Sequence, residues 1–167
     1  MLAVLLAIPV LGGLLILQTA IISRFPLLQG TADVVLLALV AWALQARVET
    51  GIQWGIIGGL LVSVVSGLPF GITLIGYLLA VVLALVLRRR VWQVPLLAMI
   101  VTTFFGTIVI HLVALIALRV TGTPLPVLQA LNLVTLPSIL LNLLLAVPIY
   151  AVISDLSKWV HPEKLEI

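Results

Sequence analysis

Few side chains within the apolar segments of this chain are equipped for catalysis. His111 is the one imidazole inside such a segment, and Ser63 and Ser66 are the hydroxyls that a base could activate. A serine nucleophile needs a base within hydrogen-bond reach and donors for an oxyanion, and no spacing in the sequence ties these residues together. His161 lies at a different depth from His111, so the two do not form a metal pair. We therefore expect no enzyme, no metal site and no cofactor.

Other polar residues recur at helical spacing within two apolar segments. Thr103, Thr107 and His111 lie four residues apart in one segment, and Ser138 and Asn142 do so in another. Polar groups in a membrane need partners there. One interpretation is that the two faces hydrogen-bond to each other and hold two helices together. The other is a small-ligand pocket lined by His111, Thr107 and Asn142.

The composition requires lipid as the solvent of this chain. Hydrophobic residues make up 64% of it and charged residues only 8%, with a mean hydropathy of +1.44. A soluble domain has about 25% charged residues, so this chain cannot cover a water-facing surface. The net charge of +3 comes from basic residues at segment ends, where cytoplasmic loops explain them and nucleic acid is not needed.

Runs of apolar residues separated by breakers predict an all-α membrane protein of one domain with about six transmembrane helices. The second, third and fourth helices are shorter than the ~17 residues of an ordinary span. Either their loops enter the membrane and are shielded by protein, or the third and fourth form a hairpin that does not cross fully. The predicted helices cover residues 2–22, 34–45, 52–66, 72–87, 94–118 and 133–153.

The acidic residues all lie outside these predicted helices. Asp33 immediately precedes the second helix, where a carboxylate favours a helix N-terminus. A proton pump or cation-coupled carrier places carboxylates within the membrane, so these positions argue against that class. The five acids are Asp33, Glu49, Asp155, Glu163 and Glu166.

Small residues recur every four positions along the third and fourth helices. Such a row lets another backbone approach closely. Either the two helices pack tightly on each other, or the row is a groove for the membrane helix of a partner. The row of the third helix is Gly51, Gly55, Gly59, Ser63 and Gly67, and that of the fourth is Gly76, Ala80 and Ala84.

Basic residues predict the orientation. An excess of Lys and Arg marks cytoplasmic loops, and with six crossings this rule places both termini in the cytoplasm. The cluster Arg88, Arg89 and Arg90 is expected to be a cytoplasmic anchor at lipid headgroups, or else a contact for a partner. The inner loops would hold Arg47, Arg88, Arg89, Arg90, Lys158 and Lys164, and the outer loops Arg24 and Arg119.

The order of several motifs, from about Leu17 to Lys158, resembles the bacterial rod shape-determining MreD family. An aspartate opens a leucine-rich helix, a glycine-rich helix follows, and an arginine cluster ends the fourth helix. The motifs are Asp33, the glycines 51, 55, 58 and 59 before Leu60-Leu61, Ser-Gly-Leu-Pro-Phe-Gly at 66–71, Gly76-Tyr77, and Asn-Leu-Leu-Leu-Ala-Val-Pro-Ile-Tyr at 142–150.

The resemblance implies a function that composition alone does not. Members of the family are non-catalytic scaffold subunits of the complex that elongates the cell wall and maintains rod shape. They lie in the bacterial plasma membrane and associate with MreC, and through it with MreB, RodA and a class B penicillin-binding protein. This chain has Ser63 where relatives often have an acid.

The family is also similar in architecture to the S subunits of energy-coupling factor vitamin transporters, which gives an alternative function. Those subunits bind a vitamin and contact a coupling subunit through small residues of the first helix. Here Ala3 and Ala7 have the required spacing, and His111 and Asn142 would be the pocket candidates. The predicted external loops are short and apolar, which favours the scaffold.

Overall fold

The computed structural model describes residues 2–90, 94–123 and 125–161, and within these residues the chain is built of helices without a strand. The prediction of an all-α membrane fold is therefore confirmed. The six main helices are α1 (Ala7–Ala20), α2 (Val34–Leu44), α3 (Gly51–Val65), α4 (Ile72–Arg90), α5 (Pro95–Val120) and α6 (Leu136–Val160).

Short helical pieces extend the first and last of these helices. A turn at Leu2–Leu5 precedes α1, and Pro9 interrupts the bonding between them because it has no N–H to donate. An α-helical turn, Val127–Ala130, and a π-helical turn, Leu131–Thr135, lead directly into α6.

The prediction of a sixth helix over residues 133–153 is therefore wrong at both ends, because the helical segment begins earlier and ends later. The polar residues Gln129 and Asn132 read as a loop in the sequence, yet their backbone is helical. At the other end, Lys158 pairs with Asp155 at 3.0 Å, one helical turn away, so polar residues continue the helix beyond the apolar run.

In the described part of the chain, four helical segments are long and apolar enough to cross a membrane, namely Ala3–Arg24, Ile72–Arg89, Pro95–Val120 and Val127–Val160. At 1.5 Å per residue, α2 and α3 reach only about 16 Å and 22 Å, against a hydrocarbon core of ~30 Å. Helix length alone thus accounts for four crossings. Helix α4 continues to Arg90, so the expectation that the fourth helix is too short for an ordinary span is wrong.

Helix α2 is the centre of the bundle. All eleven of its residues are buried, and it packs against each of the other five main helices. A helix that is apolar on every side has to be enclosed in this way. Trp42 of α2 stacks on Trp54 of α3 with ring centroids 3.9 Å apart, and the Trp54 indole donates to the Ala3 carbonyl at 2.8 Å.

The glycine row of α3 lets that helix lie close to α4. A Cβ at Gly59 would be 2.9 Å from Leu74 Cα, and one at Gly55 would be 3.2 Å from Val81 Cγ2. Gly51 meets Leu85 in the same way at 3.4 Å. These contacts correspond to helix packing within the chain.

The row on α4 faces a different neighbour from the one the sequence suggested. A Cβ at Gly76 would lie 3.4 Å from Ile110 of α5, and one at Gly106 of α5 would lie 3.4 Å from Ala80. Ala84 is fully buried. The small residues of α4 therefore receive α5, while its larger side chains face the glycines of α3. A Cβ at Gly67 would have no atom within 4 Å, so this glycine lies outside the packed row.

Candidate functional site

Helix α2 begins inside the bundle, because the segment before it runs inward along α6. Three alternate N–H groups of this segment donate to α6. Residues 29–33 span about 13 Å when extended, and nine residues of α6 rise by a similar ~13 Å. The three bonds are Gln29 N–H to the Leu133 carbonyl (3.0 Å), Thr31 N–H to Ser138 Oγ (3.2 Å) and Asp33 N–H to Asn142 Oδ1 (2.7 Å).

Gly30 permits this close approach. A Cβ there would lie 2.6 Å from the Val134 carbonyl oxygen and 2.7 Å from Ser138 N, which are both backbone atoms. Only glycine fits at such a distance. The π-helical turn Leu131–Thr135 lies at the same place, and a turn of this kind leaves carbonyl groups for partners outside the helix. Gln29 takes one of them.

Asp33 caps the N-terminus of α2, as the sequence predicted. Its Oδ1 accepts from Leu36 N–H at 2.9 Å, and its Oδ2 accepts from the Tyr77 hydroxyl of α4. Gln18 of α1 also interacts with this carboxyl group, and its Oε1 accepts from Val35 N–H at 3.1 Å. Of the first N–H groups of α2, which no helix can satisfy internally, those of Val35 and Leu36 therefore find side-chain partners.

Asn142 connects this cap to α5. Its Oδ1 accepts from the Asp33 N–H, while its Nδ2 donates to Thr107 Oγ1 at 2.9 Å. The Thr107 hydroxyl in turn donates to the Thr103 carbonyl at 2.8 Å. Side chains from α1, α2, α4, α5 and α6 thus meet at one level, and we call this group the polar hub. Its members are Gln18, Asp33, Tyr77, Thr107 and Asn142.

The depth of the polar hub corrects the expectation that no acid lies within the membrane. Thr107 is at the middle of the 26-residue helix α5, and Asn142 is near the middle of the span Val127–Val160. Asp33 is bonded to Asn142 and therefore lies at the same depth. Asp33, which precedes a helix in sequence, is thus carried to the middle level of two helices long enough to span a membrane by the inward course of residues 29–33, so the position of the acids no longer argues against an ion-coupled carrier.

Arg88 caps the opposite end of α2. Its Nη1 donates to the carbonyls of Ala43 (3.2 Å), Gln45 (2.8 Å) and Val48 (2.7 Å), where the last carbonyls of a helix lack internal partners. Tyr77 and Arg88 are eleven residues apart on α4, about 16 Å, which equals the length of α2. Helix α4 therefore braces α2 at both ends.

The three arginines expected to form one anchor occupy different surroundings. Arg88 is half-buried and points to the carbonyls of α2, whereas Arg89 is exposed. The side chain of Arg90 lies outside the described part of the chain, as does Lys164.

The remaining predicted polar residues divide into paired and unpaired groups. His111 Nδ1 lies 3.0 Å from Thr135 Oγ1, and Ser138 accepts from Thr31 N–H. The hydroxyls of Ser63 and Thr103 are buried without a hydrogen-bond partner among the described residues. The α5 and α6 faces therefore meet at Thr107–Asn142 and at His111–Thr135.

Sequence reasoning missed two members of the polar hub, Gln18 and Tyr77, and the inward role of Arg88. Gln18 is almost the only polar residue in the first apolar run. A polar residue inside such a run needs a hydrogen-bond partner within the bundle, and this requirement could have identified it. Tyr77 has a hydroxyl that needs a partner when buried. Nothing local distinguishes Arg88 from Arg89, because only the neighbouring helix decides which of them turns inward.

The described residues contain no group of three or more His, Cys, Asp or Glu side chains that could hold a metal ion. No protein-family model matches the chain, and no match was found among curated proteins or among solved structures. Its function is therefore inferred from its residues and their geometry.

Proposed function

We propose that this chain is a non-catalytic scaffold subunit of the bacterial cell-wall elongation complex, situated in the plasma membrane and associated with MreC, RodA and a class B penicillin-binding protein. The order of its motifs resembles the MreD family. The observation that carries the proposal is the polar hub, in which polar side chains from five helices bond to one another and to the N-terminal end of α2.

Such an arrangement suits a protein whose task is to hold a shape. In the membrane interior no water competes for these groups, so opening the hub would leave several of them without partners. Five of the six main helices contribute to it. The result is a fixed arrangement of helices on which other membrane proteins can assemble.

The alternative, an S subunit that binds a vitamin, fits the geometry less well. Ala3 and Ala7, which would face a coupling subunit, are instead buried against the bundle. His111 and Asn142, which would line the ligand pocket, are bonded to Thr135 and to Asp33 and Thr107. A vitamin would have to replace these bonds.

The geometry also supports a second crossing made of two parts. The extended residues 29–33 cover about 13 Å and α2 covers about 16 Å, which together approach the ~30 Å of the hydrocarbon core. Backbone that is not helical is tolerated at this depth where protein encloses it. Together with the four long helices this makes five crossings, and α3, about 22 Å long, would supply the sixth if both termini lie in the cytoplasm, as the Lys and Arg count favours.

Affinity purification of the tagged chain from native membranes, followed by mass spectrometry, tests the function. We expect MreC, RodA or the penicillin-binding protein to be recovered with the tagged chain. As the control, an unrelated tagged membrane protein of similar size should recover none of them. Recovery of an ATPase pair with a coupling membrane subunit would contradict the scaffold and favour the vitamin transporter.

A reporter fused to the C-terminus tests the topology separately. Alkaline phosphatase is active only outside the cytoplasm and green fluorescent protein only inside it. We expect fluorescence without phosphatase activity, and the reverse result would contradict the orientation but not the scaffold.

A further inference from the structure

A pocket of about 400 Å³ opens at the end of the bundle where α2 and α4 both terminate. This volume lies within the range of small-ligand sites, about 300–1,000 Å³. Its walls include Arg88 and Arg89 at the end of α4, Gln45 after α2, and Tyr150 of α6. Leu44 and Ala98 add apolar surface. The pocket therefore combines two guanidinium groups with a tyrosine and an apolar wall.

A second pocket, of about 370 Å³, begins at the same arginine and runs along α4. It is lined by Arg89, Val86, Leu85 and Val82. Val82 and Val86 are exposed by 45% and 52% and lie one turn apart on the outer face of the helix. This groove leads from the end of α4 toward its middle, so it continues from a charged site into the lipid-facing part of the span.

Arg89 marks the boundary between these two environments. It is the last residue of the apolar span Ile72–Arg89, so its charge lies at the membrane surface. The neighbouring pocket, which shares Gln45 with the first, is lined by Arg47 and Lys158 as well. Among the described residues that line the three pockets, none is acidic. Lys158 is paired with Asp155 at 3.0 Å, so the positive charge of the proposed site comes from Arg88 and Arg89 of the first pocket.

We propose that this is a binding site for an anionic glycerophospholipid of the adjacent leaflet, with its phosphate at Arg89 in the first pocket and one acyl chain in the groove along Val86 and Val82. Arginine suits a phosphate because its guanidinium group presents paired donors. Basic pockets between membrane helices are typical sites for lipid headgroups. The proposal does not depend on the function of the chain.

The ligand has to be amphipathic because the charged and apolar parts of the site are continuous. A free phosphate would use Arg89 but not the valines. A neutral lipid would use the valines but would gain little from the arginine. An anionic phospholipid uses both, and it is supplied by the membrane in which the span ends.

Native mass spectrometry of the delipidated full-length protein in detergent tests this site. Phosphatidylglycerol and phosphatidylcholine with the same acyl chains are titrated separately. We expect phosphatidylglycerol to bind more tightly, and Arg89→Gln to weaken it about fivefold, which corresponds to about 1 kcal/mol. Arg119→Gln is the matched control, because Arg119 is also exposed but lies at the opposite end of α5 from Pro95.

The variant Val86→Trp tests the groove, because the larger side chain fills it. The control is Val64→Trp, at an exposed position of α3. We expect only Val86→Trp to weaken phosphatidylglycerol, while both proteins keep the wild-type melting temperature. Equal binding of the two lipids, or equal effects of Arg89→Gln and Arg119→Gln, would overturn the proposal. Displacement of the lipid by millimolar inorganic phosphate, together with no effect of Val86→Trp, would also overturn it, since the ligand would then be a free anion.

Discussion

The unpaired backbone groups at the two ends of α2 find their hydrogen-bond partners in different ways. At the N-terminus, Asp33 and the side chains of Gln18 and Asn142 receive the free N–H groups at mid-membrane depth. At the C-terminus a single side chain, Arg88, donates to three carbonyls close to the membrane surface. Side chains of four other helices meet at the first end, whereas one side chain of α4 serves the second.

The difference indicates what a buried helix end requires. A helix terminus leaves about four backbone groups unpaired. Where water is excluded, each of these groups needs a protein partner. Where water is near, one cation is sufficient because solvent satisfies the rest. We therefore expect substitutions in the polar hub to cost more than substitutions at the Arg88 end.

Asp33→Ala should have the largest effect, because it leaves Leu36 N–H and the Tyr77 hydroxyl without their acceptor. Each buried group left unpaired costs about 1–3 kcal/mol, so the free energy of unfolding in detergent should fall by about 2–6 kcal/mol. Asp33→Asn keeps one acceptor oxygen and should lose about half as much. The exposed Asp155→Ala is the control, and an equal effect there would contradict the role of the hub.

Asn142→Leu should come next, because it removes both bonds of the amide while keeping the number and branching of the side-chain heavy atoms. Hydrogen bonds between membrane helices are worth about 0.6–1.7 kcal/mol each, so a loss of about 1–3 kcal/mol is expected. Thermal unfolding followed by tryptophan fluorescence measures it. Leu144→Ala, at a site 70% exposed, should change stability little. Similar losses in both variants would argue that Asn142 contributes only packing.

Tyr77→Phe removes one bond to Asp33 and should cost about 1 kcal/mol. A double-mutant cycle with Asp33→Asn isolates the coupling between the two side chains. A coupling near zero would mean that the tyrosine supports α4 packing without stabilising the cap.

Arg88→Ala should have the smallest effect, about 0.3–1 kcal/mol, because Gln45 is partly exposed and Ala46 is exposed, so water can take over part of the lost bonding. Hydrogen exchange should rise at the amides of Ala43 to Gln45 and stay unchanged at Val35 and Leu36. Arg89→Ala should leave both sets unchanged. If Arg88→Ala destabilises the protein as much as Asp33→Ala, the two ends of α2 do not differ as proposed.

The sequence predicted five of the main helices closely because each is an apolar run between recognisable breakers. It predicted the cap at Asp33 for the same reason, since an aspartate before an apolar helix is a local signal. It failed at α6, where Gln129, Asn132 and Ser154 interrupt the apolar run although the helix continues. Hydropathy measures transfer to lipid, whereas a helix can continue through exposed polar residues such as Gln129 and Asn132.

The sequence by itself determined that this chain is an all-α membrane protein with an acid at the start of its second helix. Only the tertiary structure decided that Asp33 lies at mid-depth, that Arg88 turns inward while Arg89 does not, and that the small residues of α4 face α5. The physical reason is that helix formation and transfer to lipid depend on neighbouring residues along the chain. Depth, partners and packing faces depend on α6, α4 and the loop at Gly30, which are brought together only by folding.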